Sequence, residues 1–132
     1  MKEGSLEFWE WFYEPLVDDS AAIEERWHPD LVMHQASELP GTAGTFHGYE
    51  GLRQVNLEMI EAYKDIRFQP KEATELDDGR WLVLLMISGR GRGSGIELEG
   101  EIGHLVTLRD GRASRMDVYM GWDAARQAAR LD

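Results

Sequence analysis

His104 and Asp117 are the residue types in this sequence that most directly suggest chemistry, and one turn sets their spacing. The stretch GHLVTLRDGRASRMDVY, residues 103–119, alternates apolar and polar positions on either side of Asp110-Gly111. Asp-Gly is favoured in tight hairpin turns, where both central residues take positive φ. With Arg109 opposite Arg112, counting back along both strands sets Leu108 against Ala113, Val106 against Arg115, His104 against Asp117 and Ile102 against Tyr119. Side chains alternate along a strand, so all of these share one face. A His beside a carboxylate exchanges protons near neutral pH, and the carboxylate fixes its tautomer. The expectation is an acid/base couple of His104 and Asp117 with Tyr119 as a hydroxyl donor. The competing reading is a cross-strand polar contact worth about 0.2–1 kcal/mol. Everything depends on register, because a slip of one residue flips every later side chain to the other face.

Other polar clusters are weaker. His28, Asp30 and His34 carry metal-ligand chemistry, but Pro29 interrupts their spacing and a tetrahedral site lacks a further ligand, so no metal is expected. His47 in FHGYEG reads as the start of a helix. Arg90 and Arg92 flank a Gly-rich turn and read as a solvated hairpin tip rather than an anion site.

These residues need a scaffold. Ser5 caps a first helix with Phe8, Trp9, Phe12, Tyr13 and Leu16 on one face, and Pro15 disturbs its end. Ser20 opens a short second helix, AAIEERW, which His28-Pro29 breaks. LVMHQA, residues 31–36, is a short strand, and residues 37–48 read as a loop placed to act as a lid. A third helix follows with Leu52, Val55, Met59, Ile60 and Tyr63 as its buried stripe. The period then changes to that of strands. IRFQPKEATEL holds Pro70, so it is an edge strand or carries a bulge. RWLVLLMISGR, IELEGEIGHLVTL and ASRMDVYMGW complete a meander, and WDAARQAARL is a closing helix. A turn at Gly93-Ser94 places Trp81, Val83 and Leu85 on the face of His104. Leu82, Leu84, Met86, Leu105, Met116, Val118 and Met120 are then assigned to the outer face, and a patch of that kind predicts a homodimer packed through the sheets.

The totals fit one domain. The chain has 132 residues, enough for a single core. It has no Cys, which excludes disulfides and thiolate chemistry and suits a cytoplasmic location. The longest apolar run, WLVLLMI at 81–87, is strand-sized, so no membrane span or membrane partner is expected. A net charge of −11, with Lys only at positions 2, 64 and 71, argues against nucleic acid. Segregated helices and antiparallel strands mean α+β.

HGYEGLRQ, RGRGSG and TLRDGRASRMDVYMGWDAARQA together resemble the SnoaL-like branch of the NTF2-like superfamily, across nearly the whole chain. The resemblance implies a cone-shaped α+β roll of the NTF2-like, or cystatin-like, kind. Its curved, mainly antiparallel sheet would carry three N-terminal helices on the concave face around a deep pocket, commonly in a dimer. In polyketide cyclases of this family an Asp and a His in the pocket take part in aldol ring closure, and Asp117 with His104 would correspond. A ketosteroid isomerase would need a carboxylate near the end of the first strand, where this chain has His34 and Gln35, with Glu38 further into the loop. Trp9, Tyr13, Trp27, His34, Trp81, Val83, Leu85 and Ile102 are the expected pocket lining. Three readings stay open: a cofactor-independent enzyme acting on an apolar carbonyl compound, a binding module for a hydrophobic ligand, and a structural dimerisation domain.

Overall fold

The concave side of the protein is built by period-two strands that turn their apolar residues toward three helices. The computed structural model describes residues 1–14, 20–35 and 44–131. The chain runs α1 (Leu6–Tyr13), α2 (Ser20–Arg26), β1 (Trp27–Gln35), β2 (Gly44–His47), α3 (Gly48–Ala62), β3 (Tyr63–Glu75), β4 (Trp81–Gly91), β5 (Glu97–Arg109), β6 (Arg112–Met120) and α4 (Trp122–Leu131). One sheet of order β2-β1-β6-β5-β4-β3 holds all the described strands. It is antiparallel except where β1 lies parallel to β6. This is the α+β architecture that the sequence predicts, with β2 added inside the stretch read as a loop. The expectations that fall on Pro15, Leu16, Glu38 and most of the lid segment lie outside the described residues.

Ser5 caps α1 as expected, its Oγ accepting from the Phe8 N–H at 3.2 Å. Phe8, Trp9 and Phe12 are buried on one side of the helix. Arg26 at the end of α2 holds α1 from the opposite direction: its guanidinium lies 4.1 Å from the Trp11 ring and its Nε donates to the Trp11 carbonyl at 3.1 Å. Such a stacked, hydrogen-bonded Arg is a rigid clamp rather than a surface charge. It fixes the end of α1, where Tyr13 sits. Helix α3 buries Leu52, Val55 and Asn56 and ends at Ala62. Tyr63, expected in its stripe, opens β3 instead.

Pro70 behaves as its chemistry requires. It lies in the edge strand β3, and the pairing with β4 shifts between Pro70 and Glu72. The β4–β5 register also agrees with expectation, pairing Trp81 with Val106, Val83 with His104 and Leu85 with Ile102.

The β5–β6 hairpin departs from expectation at one residue. Asp110 (φ 55°) and Gly111 (φ 77°) form the anticipated tight turn, with Arg109 opposite Arg112 and Leu108 opposite Ala113. Then Thr107 pairs with Arg115, leaving Ser114 as an extra residue. This β-bulge, in which Ser114 Oγ donates to the Thr107 carbonyl at 3.3 Å, inverts the rest of the strand. Ala113 is buried before the bulge, and Met116 and Val118 are buried after it. His104 therefore faces Val118, while Asp117 faces Leu105 and Tyr119 faces Gly103.

The outer face is corrected by the same bulge. Met116 and Val118 belong to the main core, and Met120 pairs with inward-facing Ile102. Of the outer residues, Leu82, Leu84 and Leu105 pack with Ala125 of α4. Gly103 makes this approach possible, since a Cβ there would lie 2.2 Å from that of Ala125. Trp122 Nε1 donates to the Leu85 carbonyl at 2.9 Å and locks the helix down. Most of the apolar surface that predicted a dimer is thus covered by the chain itself.

Candidate functional site

A pocket opens between the concave sheet face, α1 and α3. Phe12, Tyr13, Trp27, Met33, Leu52, Val55, Met59, Phe68, Ile87, Ile102, Met116 and Val118 form its walls, and Gln35, Asn56 and His104 add polar groups. Among the described residues its lining holds no Asp, Glu, Lys or Arg. The walls come from alternate residues of the strands and from one stripe of each helix, which is why the apolar set converges.

The polar centre is a couple that the sequence does not pair. Tyr13 Oη and His104 Nδ1 share a hydrogen bond of 2.8 Å. Their rings lie 5.5 Å apart, and Phe68 flanks both, at 6.3 Å from Tyr13 and 6.4 Å from His104. Burial disfavours the charged form of each group. It lowers the His104 pKa from 6.5 to about 3 and raises the Tyr13 phenol well above its usual value. Both are neutral at pH 7. A neutral imidazole offers one N–H donor and one lone pair, and a phenol offers both functions at one oxygen. If Tyr13 donates to Nδ1, the imidazole proton sits on Nε2. If Nδ1–H donates to Tyr13, Nε2 is a free base and the phenol proton is free to bind a ligand. The couple can present a donor or an acceptor without creating net charge.

The expected partners of His104 sit elsewhere. Asp117 is on the outer face and takes two bonds from Arg115, from Nε and Nη2, both 3.0 Å. Tyr119 packs in the cluster under α4. His34 also points outward, with Nδ1 3.0 Å from Thr45 Oγ1. Trp9, Val83 and Leu85 are wholly buried core, and Trp81 packs against Trp9 at 6.1 Å, so these four support the pocket wall from behind. Tyr13, Trp27 and Ile102 line the pocket as expected.

Reading the sequence missed Gln35, Asn56, Phe12, Met33, Leu52, Val55, Met59, Phe68, Ile87, Met116 and Val118 as lining. Two signals were present. Met116, Val118 and Met120 alternate with Arg115, Asp117 and Tyr119, so binary patterning alone favours the observed orientation. Asn56 interrupts the apolar stripe of α3, the usual mark of a polar group turned inward.

The remaining candidates have structural surroundings. His28 Nε2 lies 2.9 Å from Arg109 Nη2, and its Nδ1 accepts from the Asp30 N–H at 3.1 Å. Among the described residues no group of three His, Cys, Asp or Glu could hold a metal ion. His47 occupies the N-cap position of α3 without a side-chain cap bond. Arg90 pairs with Glu97 at 3.4 Å, whereas Arg92 Nε donates to the Ile60 carbonyl at 2.6 Å and ties the hairpin to α3. No described helix is long and apolar enough to cross a membrane.

Comparison with known proteins agrees with this architecture. No curated protein matches the chain. TerC, crystallised with polyporic acid, is 23% identical with a TM-score of 0.73, over 96% of this chain and 98% of TerC. An NTF2-like protein of unknown function from Burkholderia pseudomallei is 18% identical with a TM-score of 0.73, over 99% of this chain and 98% of its own. A provisional polyketide cyclase from Sinorhizobium meliloti is 21% identical with a TM-score of 0.63, over 86% and 94% of the two chains. At these identities the likeness establishes the fold. The model of the SnoaL-like domain matches residues 10–116, and the chain belongs to the SnoaL-like family within the NTF2-like fold.

Proposed function

We propose that the protein binds an uncharged, largely apolar carbonyl compound and that Tyr13 and His104 bind and activate its carbonyl group. The observation that carries this reading is the 2.8 Å Tyr13–His104 hydrogen bond inside a pocket whose walls are mostly apolar side chains. A few convergent polar groups in an apolar cavity are the general signature of a ligand site. That TerC, of similar fold, was co-crystallised with polyporic acid supports an organic ligand for this protein.

The chemistry follows from the neutral couple. Nε2 of His104 takes a proton from the carbon beside the carbonyl. The C–H electron pair becomes the new C=C bond, and the carbonyl oxygen becomes an enolate oxygen. Nδ1–H then donates to Tyr13, whose own O–H donates to that oxygen. With a pKa of about 3, His104 is fully in its base form at pH 7 but is a weak base. The enolate forming beside it favours the imidazolium and lowers the cost of the transfer. The step needs no cofactor, and it is the opening step of ring closure or isomerisation.

The depressed His104 pKa also favours a second reading, in which the pocket binds ligand without turnover. One experiment separates the two. Methyl β-naphthyl ketone is added in heavy water, with binding followed by Trp fluorescence and loss of the methyl proton signal followed by NMR. Binding with accelerated exchange that His104→Gln abolishes supports the enzyme. Binding without exchange supports the module. No binding of this ketone overturns both.

A homodimer through the outer sheet face would have to pack around α4, over Met86 and the Arg115–Asp117 strip. Sizing in solution tests it, and a monomer removes it.

A further inference from the structure

The pocket has a second buried polar group that the Tyr13–His104 couple does not use. Gln35 ends β1 with its side chain on the concave face, and it is 7% exposed. The bond its amide makes among the described residues is Nε2 to the Met33 thioether at 3.4 Å, a weak acceptor. A buried primary amide has two N–H donors and two oxygen lone pairs to satisfy, and leaving them unpaired is costly. Hydrophobic design alone would put Leu or Met here, as the neighbouring positions Leu31 and Met33 do on the same face.

Register fixes where this amide stands. His104 pairs with Val118, and Val118 pairs with Gln35 across the parallel β6–β1 junction. The three therefore form one row across the sheet floor, polar–apolar–polar. Two strand spacings separate the backbones of His104 and Gln35 by about 10 Å. That is the scale of a fused two-ring system laid across Val118. Asn56, buried on α3 and lining the same pocket, lies among the roof residues.

We propose that Gln35 is a specificity-determining residue: it recognises a second hydrogen-bonding group on the ligand, at the end remote from the carbonyl held by Tyr13 and His104. The ligand class is then an elongated, uncharged compound with a carbonyl at one end, a hydroxyl or second carbonyl at the other, and an apolar middle. Charged termini are disfavoured because the described lining residues offer no ion of opposite sign. This proposal rests on the pocket reading above.

The test uses a matched pair of probes, methyl β-naphthyl ketone and its analogue hydroxylated at the far end of the naphthalene. Affinities are measured by Trp fluorescence for the wild type and for Gln35→Met, which keeps the length of the side chain and removes its hydrogen bonds. The wild type is expected to bind the hydroxylated ketone about tenfold more tightly, the equivalent of one good hydrogen bond. In Gln35→Met that ratio should fall below about twofold. Should Gln35→Met not fold, as judged by thermal melting, Gln35→Asn withdraws the amide by one methylene and should give an intermediate ratio. A wild type that binds both ketones equally, or a ratio that survives both substitutions, overturns this proposal and leaves the pocket reading intact. Failure of both ketones to bind overturns the pocket reading and this proposal with it.

Discussion

The β5–β6 hairpin contributes to one polar pair on each face of the sheet, and the two are opposite in kind. Inside, Tyr13–His104 is neutral, with His104 only 4% exposed. Outside, Arg115–Asp117 is an ion pair with side chains 53% and 15% exposed, and the carboxylate raises the Arg115 pKa further. Water screens the outer pair, so full charge is tolerated there and contributes little. Among the described lining residues of the pocket nothing compensates a charge, so the same strand region favours groups that can stay neutral. What separates the faces is the single extra residue Ser114. A His and an Asp that simple counting pairs as a proton-transfer couple become half of a buried neutral hydrogen bond and half of a surface ion pair.

The most forceful way to break this contrast is to install a carboxylate beside His104. Val118→Asp places it directly opposite His104. Stability should fall by about 4 kcal/mol in urea unfolding, because a Val is lost from the core and a carboxylate is buried. The His104 pKa should rise steeply as it gains an opposite charge.

A second, somewhat smaller effect is the pH dependence that neutral burial of His104 imposes. Between 6.5 and about 3 the unfolded chain binds a proton that the folded chain does not. Stability is therefore lost as pH falls through this window, by about 3 kcal/mol down to pH ~4. Urea unfolding of His104→Gln over the same range should show a total loss smaller by about 3 kcal/mol.

How far the sequence carries can be judged from the same hairpin. The Asp110-Gly111 turn and the β4–β5 register are local matters of backbone sterics and alternation, and both were legible. The bulge was not, because an extra residue costs little locally and is chosen by what it buries: Met116 and Val118 against α1 and α3. The alternation of these apolar residues with Arg115 and Asp117 was the available warning. Tyr13 was legible as a pocket wall, but its bond to a residue 91 positions away depends on how Arg26 clamps α1, which no local pattern states. Likewise, β1 parallel to β6 is a long-range pairing. The closing helix was legible, but its seat over Leu82, Leu84 and Leu105 follows from Gly103, whose missing side chain has meaning only once Ala125 is beside it.

Smaller effects sharpen the comparison. Tyr13→Phe leaves the imidazole without its phenol partner and should cost about 1–3 kcal/mol, with weaker binding of methyl β-naphthyl ketone. Asp117→Asn breaks the outer ion pair and should cost at most about 1 kcal/mol, an effect that salt diminishes. It should leave ketone binding unchanged, which fluorescence titration of the two variants side by side will show.

The most direct test is NMR titration of the His104 ring, assigned by comparison with His104→Gln. Buried beside Tyr13, His104 should remain a neutral imidazole with no titration from pH ~8 down to ~5, and its resonance should move in Tyr13→Phe and stay in place in Asp117→Asn. A His104 that titrates near 6.5, or whose pKa falls when Asp117 is replaced, would contradict it and restore the pairing that counting along the hairpin suggests.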